Sequence, residues 1–453
     1  MPIVYPNAPG EYLRKETESD IKPNLGLSKS TLIKIPEYYF KMSFIRFLIL
    51  PILLMVLSCH AQAQSLEAYL AAAQANNPAL LENERLSAIA GLEVDMAKAA
   101  YQMPEISTTG NFLYAPVIRG VGYDNSITNG ALYSAQLNLN QPLFTRPQVE
   151  AQAKNSLINQ EAYRQNTALS QHELARQVSE QYIRTWQNLE RIADTQHLLG
   201  LLAEQEQVVR VFAENAILSQ SDVLFFTIEK ENQQLALQDF QIAYRQGLAA
   251  LNLLCGLVDT TYVELQQPEL QLMADTAGLS NFLKSYQLDS LLAESRQELS
   301  ELKYRPQASA FANTGLNAIM LKDIYKKFGF SLGLNFSMPL YDGHQRGLAR
   351  QQMQLSQQAS HGQREFQSKQ IEQQRLMARQ QIKLLDAKIK TVQRQLSDYE
   401  TLLKFYRERI ARGELSVNDY MNTIKSFATA QADFTALKTS RLLLINEYNY
   451  WNW

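Results

Sequence analysis

The chain has 453 residues, of which 46% are hydrophobic and 19% charged, a balance that supports a packed core and excludes a disordered polymer. Its formal net charge of −2 offers no basic face or stripe for nucleic acid.

An apolar run from Phe44 to Leu57 follows Lys41, is interrupted by Arg46, and ends at Ser58-Cys59-His60-Ala61-Gln62-Ala63. A basic start, a short apolar core and small residues at Ala61 and Ala63 have the form of a secretory signal peptide. The run is too short for a comfortable membrane span. This reading places residues 1–41 as an upstream extension, 42–63 as the signal and Gln64 as the mature N-terminus. Val56-Leu57-Ser58-Cys59 partly fits a lipobox, so acylation of Cys59 is the second reading. Cleavage after Ala63 leaves Cys255 alone, flanked by Leu254 and Gly256 and read as a buried small hydrophobe. No second apolar run approaches about 20 residues, so an exported chain of this kind is either soluble or spans as β-strands.

A helix is expected from Leu66 to Met103, followed by a hairpin over 105–141. In that hairpin Ala135, Leu137 and Leu139 alternate with Gln136, Asn138 and Asn140, opposite an upstream strand from Ile106 to Tyr114. Pro142 lacks an N–H for further pairing and marks the end of the strand. A helical pattern of about 70 residues comes next, roughly 105 Å at ~1.5 Å per residue, then a turn near Asp222 and a shorter helix to Leu254.

The chain then repeats itself. Leu137 to Phe144 aligns with Leu334 to Tyr341, and Leu218 to Asp222 with Leu415 to Asp419, both at an offset of 197. The repeats are read as 64–256 and 283–453, joined by a linker over 257–282. In the second, Phe330, Leu332, Leu334, Phe336 and Met338 alternate with Ser331, Gly333, Asn335 and Ser337 in a hairpin over 306–339. Gly315 and Gly329 are assigned to its loop, as Gly120, Gly122 and Gly130 are in the first hairpin. In the second long helix Ile382, Leu385, Ile389, Val392, Leu396, Tyr399, Leu403, Tyr406 and Ile410 step by three and four, the seam of a coiled coil. The helix from Phe282 to Arg305 is shorter than its counterpart before the first hairpin, and only the linker is available to make up the difference.

This duplicated order of helix, hairpin, long helix, turn and helix, behind a signal peptide, resembles the TolC family of outer-membrane efflux proteins. The likeness covers about residues 65–453. It rests on Ser65-Leu66-Glu67-Ala68-Tyr69, Asn77-Pro78-Ala79-Leu80, the strand endings Gln141-Pro142-Leu143-Phe144 and Met338-Pro339-Leu340-Tyr341, and the turn from Arg412 to Met421. The resemblance implies an α+β membrane protein that assembles as a homotrimer. Each chain would lend four strands to a 12-stranded barrel in outer-membrane lipid, continued by a coiled-coil barrel of helices in the periplasm. The implied partners are a periplasmic adaptor and an inner-membrane pump of the RND or ABC type, with the channel passive in efflux or type I secretion. Independently of the resemblance, four strands cannot close a barrel, which needs about eight or more, so the chain must associate to span a membrane.

In the family, acidic residues ring a closed periplasmic entrance formed by the helix turns. Asp419 occupies one such place and Asn422 stands where a second acid is often found. Three copies of Asp419 near an axis would favour cations; the simpler role for Asp419 and Asp222 is as helix N-caps. The family's polar latch positions fall on Ile410 and Leu415, which leaves an apolar constriction or plain heptad packing. Phe330, Leu332, Leu334, Phe336 and Met338 are expected to face lipid. His172, His197, His344 and His361 are scattered, and no metal, phosphate-cradling or nucleophile motif accompanies them; catalytic, cofactor and metal sites are expected to be none. The alternative reading is a secreted or lipid-anchored coiled-coil scaffold, which explains the heptads but not two amphipathic hairpins at matching positions.

Overall fold

A computed structural model describes residues 65–114, 118–122, 131–275, 280–319 and 324–453. The signal peptide, Cys59 and Gln64 lie outside the described residues. The chain divides after Gln62, and all described elements belong to the unit that follows.

In chain order these are α1 (Leu66–Asn76), α2 (Pro78–Gln102), β1 (Glu105–Tyr114), β2 (Ala131–Leu143), α3 (Arg146–Glu214) and α4 (Gln220–Leu254). A 3-10 turn (Asn281–Leu283) leads into α5 (Lys284–Leu302), followed by β3 (Gln307–Ala318), β4 (Phe328–Ser337), α6 (Gln345–Ala411) and α7 (Val417–Trp451). The two long helices have 69 and 67 residues. The single helix expected over 66–103 is two. Pro78 has no N–H to continue the ladder, and Asn77 closes α1 while its side chain accepts from the Ala79 N–H to start α2.

The strands form one antiparallel sheet in the order β1-β2-β3-β4. Pro142 does not end β2, which runs on to Leu143 with Pro142 paired to Ser309. β1 stops pairing at Asn140, so Pro142 sits where β2 has a neighbour on one side only and its missing donor is tolerated. Gly315 and Gly329 are not loop residues: they pair across β3 and β4.

The helices pack side by side in a fixed order. Next to the sheet α2 lies on α3, α3 on α5 and α5 on α6; toward the far turns α4 lies on α3, α3 on α7 and α7 on α6. One core joins α1, α3 and α4 around Tyr69, Tyr182, Trp186, Tyr244 and Leu251. Cys255 is fully buried there and its thiol donates to the Tyr69 carbonyl at 3.4 Å; burial pushes its pKa up to about 11. A second core joins α3, α4, α6 and α7, and takes in Leu396, Leu403 and Ile410 from the seam of α6 together with Val392, Tyr399 and Tyr406.

The linker accounts for the short second-repeat helix. By the offset of 197, α1 corresponds to residues 263–273, and these form no helix. They run as an extended strap held by side chains from both repeats. Tyr182 and Tyr244 donate to the carbonyls of Gln266 and Val263, Asn449 holds Gln271 and Met273, and Asn452 holds Ala274. Leu270 packs against the cluster of Ala378, Ile382, Ile445 and Tyr448. Asp275 then receives Arg375 at 3.0 Å and Arg379 at 2.6 Å, together with the Tyr448 hydroxyl. An extended segment thus runs from α3–α4, where Leu265 joins the core that holds α1, across to α6–α7.

Candidate functional site

The register sorts the sheet into two faces. One carries Phe328, Phe330, Leu332, Leu334 and Phe336 of β4, which pair with Leu316, Thr314, Ala312, Ala310 and Ala308 of β3, and continues through Leu137 and Leu139 of β2 to Ile106 of β1. Its large side chains stand in the open: Phe330 is 82% exposed, Leu332 75%, Leu334 61% and Phe336 74%. Met338, 52% exposed, lies just past the end of β4. The opposite face carries Ser331, Asn335, Asn313, Asn138, Asn140, Gln136 and Thr109, cross-linked by bonds from Asn138 to Thr109 at 2.9 Å and from Ser331 to Asn313 at 2.6 Å. Phe311 interrupts this polar face, its ring over Gly333.

Among the described residues both lateral edges of the sheet are open, since β1 and β4 each have one neighbour. Alternation of this kind is what a strand needs when one face meets hydrocarbon and the other meets water.

At the junction of sheet and helices, Glu301 at the end of α5 receives Arg346 and Arg350 from the start of α6, the latter at 2.6 Å. Arg346 also lies 5.1 Å from the ring centre of Tyr304. Arg350, then Arg346, hold the Glu301 carboxyl down to about 2. A carboxylate with a depressed folded-state pKa contributes stability above its unfolded pKa of about 4.3 and loses it as the pH falls through the folded value. Thermal unfolding of wild type and Glu301→Gln should therefore differ at neutral pH and converge as the pH drops below about 4.3; a constant gap down to pH of about 2 would dismiss this group.

The turns after the long helices lie together at the other end, with Ile217 of the first turn 4.0 Å from a Cβ built on Gly413 of the second. Gly413 closes α6 at φ +70, and Ala216, its equivalent by the offset, takes φ 59. Neither acid is an N-cap. Ser219 and Ser416 fill that position, because a hydroxyl directly before the helix reaches the first free N–H groups. The acids stand three residues further on, where they differ. Asp222 completes a capping box with Ser219, its carboxylate accepting from the Ser219 N–H at 3.0 Å. The Asp419 carboxylate is exposed and, among the described residues, takes no hydrogen bond or ion pair; Asn422, one turn on, is exposed as well. Ile410 is 2% exposed within the second core and Leu415 packs against it.

Among the described residues no helix is long and apolar enough to cross a membrane, and no group of three His, Cys, Asp or Glu side chains could hold a metal. The strap with its Asp275 clamp and the Glu301 pair of arginines were not anticipated from the sequence, because their partners are 19 to 178 residues apart.

Solved structures share this arrangement, among them the following three. CusC, solved for the conformational changes that accompany its folding and transmembrane channel formation, matches 85% of this chain and 91% of its own at 15% identity, with a TM-score of 0.69. The outer-membrane protein VceC of Vibrio cholerae matches 85% and 95% at 14% identity and a TM-score of 0.69. The CmeC outer-membrane channel of Campylobacter jejuni matches 85% and 85% at 14% identity and a TM-score of 0.69. The fold is TolC-like. No protein-family model matches the chain, and no curated protein matches it in sequence, so the likeness to these channels is one of fold.

Proposed function

We propose that this chain is one protomer of a trimeric outer-membrane channel that works passively in efflux or type I secretion with a periplasmic adaptor and an inner-membrane pump. The observation that carries the reading is a four-stranded sheet, apolar on one face and polar on the other, with both edges unpaired among the described residues. Four strands cannot enclose a lumen, whereas three copies supply twelve, above the roughly eight a barrel needs. The helices favour the same closure. Next to the sheet the outermost are α2 and α6, and both expose apolar side chains: Ile89, Leu92 and Met96 on one, Leu348, Leu355 and Phe366 on the other. An exposed apolar row at an unpartnered helix edge is interface material.

The test is extraction of the full chain from outer membranes in mild detergent, with its mass and single-channel conductance measured. A trimer that conducts supports the reading. A monomer confined to the soluble fraction overturns it in favour of a secreted scaffold.

Within this reading Asp419 rings the entrance and Asn422 lies beside it, while Asp222 serves its helix. In a channel held open, Asp419→Asn should lower cation preference and divalent block, because a ring loses three charges from a narrow opening. Asp222→Asn should leave selectivity unchanged and cost on the order of 1 kcal/mol of helix stability through its capping box. Equal selectivity in wild type and Asp419→Asn would remove the ring.

A further inference from the structure

The long helix α6 is strongly one-sided in charge, with 13 Lys and Arg against 6 Asp and Glu. Six of its cations are held within the chain: Arg346 and Arg350 on Glu301, Arg375 and Arg379 on Asp275, Arg407 beside Glu204 and Arg409 beside Glu414. Lys383, Lys388, Lys390 and Arg394 form a separate exposed block, and among the described residues none of the four has an ion-pair partner. The acid within that block, Asp386, is taken by Arg441 of α7 at 2.6 Å.

On the far side of the helix layer α4 has the opposite bias, with Asp222, Glu229, Glu231 and Asp239 against Lys230 and Arg245. Asp222 is engaged in its capping box, Glu229 with Lys425 at 2.9 Å and Lys230 with Glu206. Glu231 and Asp239 are exposed and, among the described residues, without an ion-pair partner.

The two helices start from adjacent turns at one end and run in opposite chain directions, so height along the layer can be counted from those turns. At ~1.5 Å per residue Asp239 lies about 28 Å from its turn, and Arg394, Lys390 and Lys388 lie about 25 to 35 Å from theirs. Arg245 stands at about 38 Å, level with Asp386. The order α4, α3, α7, α6 puts the acidic helix and the basic helix at the two outer edges of the same layer. Each edge also exposes apolar side chains near its charges: Leu235 and Ile242 on α4, Met377 and Leu384 on α6.

We propose that the α6 edge of one copy docks on the α4 edge of a second copy, with Lys388, Lys390 and Arg394 set against Asp239 and with Glu231, about 16 Å from its turn, extending the acidic edge below them. The inference rests on the reading of the chain as a channel protomer and adds what selects and orients the neighbour. An apolar strip flanked by charges of one sign on one helix and the other sign on its partner sets both pairing and direction. Two α6 edges repel each other, so copies join head to tail around a closed ring and do not pair face to face.

The experiment uses the full chain extracted from outer membranes, its oligomer fraction measured by native mass spectrometry at low and at high salt. Lys388→Glu with Lys390→Glu and Arg394→Glu should lower that fraction on the order of tenfold at low salt, and Glu231→Lys with Asp239→Lys should do the same. All five changes in one chain exchange the signs of both edges and should restore assembly. Salt should weaken the wild-type oligomer, since these charges are exposed. Recovery in the fivefold variant separates lost pairing from lost folding. Reversal variants that assemble like wild type, or a fivefold variant no better than either parent, would overturn the charge-matched interface while leaving the channel reading in place. A monomeric wild type would overturn both.

Discussion

Leu334→Arg should abolish insertion of the assembled protein, while Asn335→Arg at the neighbouring position should be tolerated. Leu334 is 61% exposed on the apolar face and pairs with Ala310; Asn335 points to the polar face and pairs with Ser309. In the proposed barrel the first faces hydrocarbon and the second faces a wet lumen. A basic side chain at the bilayer midplane on the lipid face costs roughly 2–4 kcal/mol, and three copies would carry that cost together. On the wet face the guanidinium stays hydrated and changes conductance more than assembly. The assay is the trimer yield in extracted outer membranes for the two variants side by side. Equal yields would mean that the alternation does not distinguish lipid from lumen.

Much of this arrangement was legible in the sequence for a local reason. Strand alternation and the heptad seam are periodicities of side chains a few residues apart, so Phe330 to Phe336 and Ile382 to Ile410 declare their elements without any knowledge of what they touch. The duplication then transfers each reading from one copy to the other. What could not be read depends on residues distant in sequence. The strap over residues 263–273 has no periodicity of its own; its extended form is set by Tyr182, Tyr244, Asn449 and Asn452. The split at Asn77-Pro78 was available from the proline but lost to the continuous apolar pattern on either side. At the two turns after the long helices, sequence placed Asp222 and Asp419 as equivalents. Ser219 and Ser416 as the true caps, and the engagement of Asp222 alone, are matters of side-chain geometry. The same limit applies to Pro142, where the absence of β1 beyond Asn140 decides whether a missing donor matters.

Gly315 shows how a residue that looks like a loop marker can be the tightest point of a sheet. A glycine between two alternating runs normally signals a turn, yet here it pairs with Gly329 on one side and Gln136 on the other. Its φ is +151, and a Cβ at that position would lie 2.2 Å from the Ala135 carbonyl oxygen and 2.7 Å from the Gln136 Cα. Both obstacles are backbone, so no rotamer change relieves them. Gly315→Ala must either push β2 and β3 apart or leave a backbone region that is closed to residues with a Cβ, at a cost on the order of 1–3 kcal/mol for the strained conformation before the clash is counted. The site of damage matters as much as its size. β2 and β3 are the seam where the hairpin of one repeat joins that of the other, and without it the chain presents two separate hairpins, each marginal alone. Gly315→Ala should thus lose trimer and outer-membrane insertion, while the helical circular dichroism of the α3–α7 layer persists. Gly329→Ala is the control, because a Cβ there meets nothing within 4 Å. Wild-type trimer yield in Gly315→Ala would show that the sheet does not close through this contact.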